Sequence, residues 1–230
     1  MLRALIFDFD GIIVDSEPLI MELTQRMAML EGWSLSAAEY YRDYLALDDR
    51  GIVEHLYKSH GQHVDTRRRD ELIRWKEETY RDAICEGLPP VPGALEFVRQ
   101  SAARYPLAIA SGSLRSEVEY LLAKLGLRAE FSILSTADDC ERAKPHPCSY
   151  LMALQGLAAL EVLSKEGLLA CECLAVEDAP AGIEAAHAAG MKCLALTHSR
   201  PAGELQNADW VLENFEQARL DNIVAGFCGL

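Results

Sequence analysis

Leu2–Ser16 reads LRALIFDFDGIIVDS, and the reading of the fold turns on it. Leu5, Ile6 and Phe7 form a short apolar run without alternation, the pattern of a strand buried on both faces. The run ends in Asp8-Phe9-Asp10-Gly11. On extended backbone Asp8 and Asp10 point to the same side. Two carboxylates so placed repel, unless a cation lies between them or one takes up a proton. Aspartate is a hard oxygen ligand suited to magnesium, and it can also be a covalent nucleophile toward phosphorus. Gly11 lets the chain turn sharply after them.

Beyond Ser16 the period changes. Leu19, Leu23, Met27 and Leu30 recur at helical spacing. Ser36 followed by Glu39 predicts a capped helix start. Residues 47–51 read as a turn, Ile52–Ser59 as a short helix and Thr66–Cys85 as a long charged one. No strand pattern occurs in this region. Leu88-Pro89-Pro90-Val91-Pro92-Gly93 then reads as a linker. After it, helices alternate with short apolar strands. The strands are predicted at Leu107–Ala110, Ser132–Leu134, Cys173–Val176, Lys192–Leu196 and Trp210–Leu212. The helices between them include Ser149–Leu163, and Phe215–Val224 closes the chain. This predicts an α/β fold, a doubly wound, Rossmann-like parallel sheet. Residues 1–15 and 92–230 form its core domain, and 16–91 an inserted, small all-helical domain.

The 230 residues suffice for one sizeable core and a small second unit. A net charge of −14 argues against nucleic acid and against anionic membrane surfaces. It leaves a small anion possible, since one lysine, a metal ion and helix N-termini supply enough local positive charge. No run of apolar residues is long enough to span a bilayer. Charge enters at Asp8, ahead of any adequate secretory core, so a cytoplasmic location is the expectation. The seven cysteines form no CxxC pair, which predicts reduced thiols and no zinc site.

In a doubly wound sheet, ligands bind beyond the C-terminal ends of the strands. Four of those ends carry polar residues: Asp8 and Asp10, Ser111, Lys144, and Glu177 with Asp178. Singly, each has an ordinary reading as a cap, a turn or a surface loop. In order, at four strand ends, they predict a magnesium ion with a phosphate beside it.

These segments also carry a resemblance. DFDGIIVDSE, IASGS, AKPHP and VEDAPAG resemble the four motifs of the haloacid dehalogenase (HAD) superfamily. The chain is similar, more narrowly, to its phosphatase and sugar-phosphomutase branch, β-phosphoglucomutase-like and CbbY-like, with a helical cap after the first motif. The resemblance implies that Asp8 attacks phosphorus and forms an aspartyl-phosphate. Asp10 protonates the leaving oxygen and then deprotonates water, and its main-chain carbonyl binds Mg2+. Asp8 and Asp178 are implied as metal ligands, with Glu177 a ligand or a supporting partner. Ser111 and Lys144 are implied to hold the phosphoryl oxygens, with backbone amides after Phe9 and around Gly112. Ser113 and Arg115 would line the pocket. Glu17, Asp48-Asp49-Arg50, Lys76 and Tyr80 of the cap are the candidate contacts to the rest of the substrate.

The dehalogenase members lack the second aspartate, so Asp10 favours phosphoryl transfer. Ile20 stands where the mutases resembled here carry a histidine, which favours hydrolysis over isomerisation. Ile12 departs from many phosphatases and pulls weakly the other way, and Ala179 replaces a common serine. The span from Lys144 to Glu177 is longer than usual, with the excess expected between 156 and 167. The expectation is a magnesium-dependent phosphatase of sugar or polyol phosphates, monomeric, whose partner is a small phosphorylated metabolite. The alternatives are a sugar-phosphate mutase and a non-catalytic binding protein on the same scaffold.

Overall fold

The computed structural model describes residues 1–45, 47–164 and 167–228. Two compact units emerge: Met1–Asp15 with Leu88–Leu230, and Ser16–Gly87. The second crossing between them falls at the head of the proline-rich stretch.

The first unit is built on β1 (Ala4–Phe7), every residue of which is fully buried. In the second unit follow α1 (Glu17–Leu30), α2 (Ala37–Asp43), α3 (Asp49–Ser59) and α4 (Thr66–Ile84). The first unit resumes with α5 (Ala94–Ala102), β2 (Leu107–Ala110), α6 (Arg115–Lys124), β3 (Phe131–Ser135), α7 (Cys148–Ala158) and α8 (Glu161–Ser164). It ends with β4 (Cys173–Glu177), α9 (Pro180–Ala188), β5 (Lys192–Leu196), β6 (Trp210–Leu212) and α10 (Leu220–Cys228). The strands form one parallel sheet in the order β3-β2-β1-β4-β5-β6. Strand order reverses beside β1, where Leu5 pairs with Leu107 on one side and Leu174 on the other. That is the switch point at which such sheets bind ligands.

Alternation along β1 supplies both faces of the core. Ala4 and Ile6 join Ala108, Ala175 and Cys193 under Tyr150, Ala153 and Leu157 of α7. On the other face Phe7 meets the rings of Phe97 and Phe131 edge-on, at 6.1 and 5.9 Å. Burying a ring of this size contributes about 1.5–3 kcal/mol.

The helical unit has its own apolar cluster, with Met27, Tyr40, Ile52, Leu56 and Leu72 among its members. Its helix starts are capped by side chains. Ser36 and Glu39 form the reciprocal capping box, Asp48 accepts from the Gly51 amide at 2.7 Å, and Asp65 accepts from the Arg68 amide at 2.9 Å. Among the described residues no helix is long and apolar enough to cross a membrane.

Four expectations need correction. The Asp48 cap draws Asp49-Arg50-Gly51 into the first turn of α3, so the turn read over 47–51 is shorter and the helix longer. The helix expected over 149–163 breaks after Ala158. Ser149, Tyr150, Ala153 and Leu157 form the buried stripe of α7, and Leu163 lies off that stripe yet is buried. The chain turns after Ala158 and buries Leu163 from the separate short helix α8. The final helix begins at Leu220, not Phe215: Asn214 and Gln217 close a turn with their side chains, and Phe215 packs on Phe97 at 4.9 Å. Lastly, Cys140 and Cys148 form a disulfide rather than staying thiols. The AKPHP loop brings their Cα atoms to 5.9 Å, within bonding range. Of the segment 156–167, which holds the end of α7 and all of α8, residues 165 and 166 lie outside the described residues.

Candidate active site

The three central strands deliver their polar ends to one place. Asp8 follows β1 and its amide bonds the Val176 carbonyl at 2.9 Å, which ties it to the end of β4. Glu177 is the last residue of β4 and is wholly buried. Lys144, from the loop ahead of α7, bridges the two: its Nζ donates to Asp8 Oδ1 and to Glu177 Oε1, both at 2.7 Å. The Tyr150 hydroxyl donates to the same Glu177 oxygen at 2.7 Å. The other oxygen, Oε2, accepts from the amides of Asp178 and Ala179 at 3.1 and 3.4 Å. Glu177 thereby holds the two amides that lead into α9, whose N-cap Ala179 offers no side-chain oxygen.

Two glycines make this crowding possible. A Cβ on Gly182 would come within 1.9 Å of Glu177 Oε1. One on Gly11, which has φ +72°, would come within 2.0 Å of Asp178 Oδ2. Both carboxylates therefore occupy space that any side chain larger than hydrogen would fill.

Asp8, Glu177 and Asp178 each offer an oxygen, and the three atoms lie within 4.8 Å of one another. Such an all-oxygen set suits a hard divalent cation. The electrostatics agree. Burial first, then the charges of Glu177 and Asp178, push the Asp8 carboxyl well above the ordinary carboxylate range, although Lys144 works against it. Burial and Glu177 push Asp178 up to about 7, against the Ser199 hydroxyl that donates to it. Burial would strip the Lys144 ammonium of its proton, but Asp8 and Glu177 more than offset this and hold it above the usual lysine value. A site with three carboxylates and one ammonium is short of positive charge, which a divalent cation would supply.

Asp10 is held apart from this set. Its Oδ2 accepts from Ser113 Oγ at 2.5 Å. Ser111 is buried after β2, and its Oγ accepts from the Ser113 amide at 2.9 Å. That amide, and the Gly11 amide bonded to the Val14 carbonyl at 2.8 Å, are already engaged within the protein. The Gly112 side of the loop is open. Ser111, Gly112 and Lys144 line one cavity of about 70 Å³ with Cys140 and Ser149. Arg115 turns away, onto Asp139 at 2.7 Å.

So Asp8, Lys144, Glu177 and Asp178 come together, with Asp10, Ser111, Gly112 and Ser113 in the adjoining loops. The cap candidates lie in the helical unit. Glu17 accepts from the Tyr40 hydroxyl at 2.6 Å, Arg50 is exposed on the first turn of α3, and Lys76 is buried with its ammonium on Asp49. Three residues of the site escaped the sequence reading: Tyr150, Ser199 and Gly182. The polar run Thr197-His198-Ser199-Arg200 directly after β5 was the available signal for Ser199. The other two sit inside helices and look like ordinary core positions.

A family model described as haloacid dehalogenase-like hydrolase matches residues 5–196. The chain belongs to that family of hydrolases. It is 32% identical over 191 residues to the fructose-1-phosphate phosphatase YqaB of Escherichia coli (strain K12), covering 81% of this chain and 92% of that protein. It is 30% identical to the protein CbbY of Rhodobacter capsulatus, covering 94% of this chain and 95% of that one. Among solved structures, the β-phosphoglucomutase of Clostridium difficile superposes with a TM-score of 0.78 at 21% identity, covering 99% of this chain and 97% of the other. At that identity the likeness speaks for the fold.

Proposed function

We propose that this hydrolase is a magnesium-dependent phosphatase of small phosphorylated metabolites, sugar or polyol phosphates, acting through an aspartyl-phosphate on Asp8. The observation that carries the reading is the joint placement of Asp8 against Lys144, Glu177 and Asp178, with Asp10 on the next loop. Relatives named as phosphatases of fructose 1-phosphate, of phosphorylated carbohydrates and of hexitols support the substrate class.

In this reading Asp8 Oδ attacks phosphorus while the bond to the leaving alcohol breaks. Asp10 gives its proton to the departing oxygen, then takes one from the water that attacks the phosphoryl group on Asp8. Ser113 aims Asp10 for both transfers. Lys144 holds a phosphoryl oxygen and stabilises the charge that gathers in the transition state, joined by Ser111. Asp8, Asp178, Glu177 and the Asp10 carbonyl are the groups that would hold the metal. When bound, Mg2+ would neutralise Asp8 toward an anionic substrate and fix the phosphate's orientation. The helical unit would set specificity, with Glu17, Arg50 and Lys76 as the contacts to test.

Ile20 argues against the mutase. It packs in the apolar cluster of the helical unit and offers no proton-transfer group where the mutases carry histidine. A phosphoenzyme without that control is open to water. We read the protein as a monomeric enzyme that hydrolyses its phosphoenzyme, and its location as cytoplasmic. The test is inorganic phosphate release from a panel of sugar and polyol phosphates, with magnesium or chelator, beside Asp8→Asn. Release that needs both magnesium and Asp8 supports the phosphatase. Isomerisation dependent on a bisphosphate, with little release, would replace it with the mutase.

A further inference from the structure

Lys144 lies at the middle of a covalent ring. Cys140 and Cys148 are each four residues from it, and their disulfide closes the segment CERAKPHPC. The two ends of the ring are anchored unequally. On one side, Cys140 follows the turn 136–139, which is closed by Asp139 accepting from the Thr136 amide and hydroxyl at 2.8 and 2.9 Å, and from Arg115 at 2.7 Å. On the other side, Cys148 is the first residue of α7, the helix that carries Tyr150 to Glu177. Between them, among the described residues, the His146 amide to the Ala143 carbonyl, at 3.0 Å, is the one backbone bond that ties the loop internally. α7 also packs on β2 and β3, so the disulfide adds a covalent link from the anchored turn to α7 across the loop that aims Lys144. Cys140 also lines the cavity shared by Ser111, Gly112 and Lys144. Both cysteines are half-buried, so a small thiol or disulfide can reach them.

We propose that Cys140 and Cys148 are a reversible dithiol–disulfide modification site that sets the order of the Lys144 loop and, through it, the affinity of the site for a phosphoryl group. The inference rests on reading Lys144 as a phosphoryl ligand. Closing the ring restricts the loop before the anion arrives, so less ordering remains to oppose binding. Opening it leaves Lys144 to its two carboxylates alone.

The chemistry is thiol–disulfide exchange with a small-molecule disulfide. One cysteine thiolate attacks a sulfur of that disulfide, forms a mixed disulfide and expels the first small thiolate. The second cysteine thiolate attacks the protein-bound sulfur, closes the Cys140–Cys148 bond and expels the second. Two electrons pass from the cysteine pair to the small disulfide, and the two thiol protons leave on the two small thiols. Reduction is the reverse.

The test equilibrates the full chain with mixtures of reduced and oxidised glutathione and maps the Cys140–Cys148 peptide without reduction. Inorganic phosphate binding in the presence of magnesium is then measured on each form by calorimetry, and amide exchange is followed over 141–147. A Cys140→Ser/Cys148→Ser variant, which keeps the exposed Cys85 and Cys171, is carried alongside. The expected result is a disulfide that forms and opens across the glutathione range. The oxidised form is expected to bind phosphate about tenfold more tightly, the scale of ordering one long side chain before the anion arrives, with slower exchange over 141–147. The double variant should match the reduced form under all conditions. Equal phosphate affinity and equal exchange in the two forms would overturn the proposal, as would failure of the bond to form. Because binding and exchange are read without turnover, a protein that binds phosphate in this redox-dependent way yet releases none from any substrate would refute the phosphatase reading and leave this one standing.

Discussion

Lys144 Nζ and Asp8 Oδ1 lie 2.7 Å apart across 136 residues of sequence, and the same nitrogen reaches Glu177. One ammonium therefore aligns the proposed nucleophile and balances the buried carboxylate behind it. Lys144→Ala should lower kcat by about 10²–10³, the usual cost of a lost transition-state donor. In metal-free protein it should also lower the melting temperature, because two carboxylates lose their cation. Steady-state kinetics and thermal melts check both. An unchanged kcat would remove Lys144 from the chemistry.

Asp178 gives a pH dependence whose sign can be worked out. Its carboxyl is raised to about 7 in the folded protein, from 3.8 when unperturbed. The folded state thus keeps a proton that the unfolded chain gives up. The stability this confers is complete below the unfolded value and is lost as pH rises through the folded one. Asp178→Asn should accordingly raise the melting temperature of metal-free protein at pH 8, by about 2–4 °C for each kcal/mol relieved, with little gain at pH 4. The same substitution should abolish the stabilisation that magnesium gives. For the unsubstituted protein, magnesium binding should weaken from pH 8 to pH 6 and release protons, which calorimetry in buffers of different ionisation enthalpy measures.

Tyr150→Phe removes one donor from Glu177 Oε1 and leaves the ring in place over Lys144. Loss of a hydrogen bond to a charged group costs about 1.5–3 kcal/mol of stability. The account expects that loss in denaturant melts, together with a weaker half-saturation for magnesium and a kcat that falls far less than in Lys144→Ala. A collapse of kcat equal to that of Lys144→Ala would mean that Tyr150 acts on the substrate itself.

Gly182→Ala places a methyl group where Glu177 Oε1 now lies. Either the carboxylate moves or the helix does, at about 1–3 kcal/mol for overpacking. Magnesium affinity should fall with stability. Gly126→Ala is a useful contrast: nothing lies within 4 Å of its Cβ, so its cost should come from the φ of +67° and leave magnesium affinity alone.

Much of this was legible in the residues. Strand ends announced by Asp8-Phe9-Asp10-Gly11, Ser111-Gly112 and Glu177-Asp178 are short-range signals, since a polar pair stopping an apolar run needs no knowledge of the fold. The parallel sheet followed from strands alternating with helices. What escaped was set by packing at a distance. Tyr150 looks like one more apolar position on α7, and only the fold brings its hydroxyl under Glu177. Gly182 looks like a weak helix residue until a carboxylate is found in the space beside it. The apolar run over 149–163 does not show that α7 ends at Ala158 and that Leu163 is buried from a separate short helix. The Cys140–Cys148 pair was missed because a spacing of eight matches no common cysteine motif, whereas the loop between them folds back on itself.

The most direct measurement is the chemical state of Asp8 during turnover. Protein mixed with magnesium and an accepted sugar phosphate would be quenched in acid within the first turnovers, digested, and its peptides weighed. The account predicts a phosphoryl increment on the peptide carrying Asp8, absent without magnesium and absent in Asp8→Asn, which should also release no phosphate. An increment on another residue, or steady phosphate release by Asp8→Asn, would contradict it.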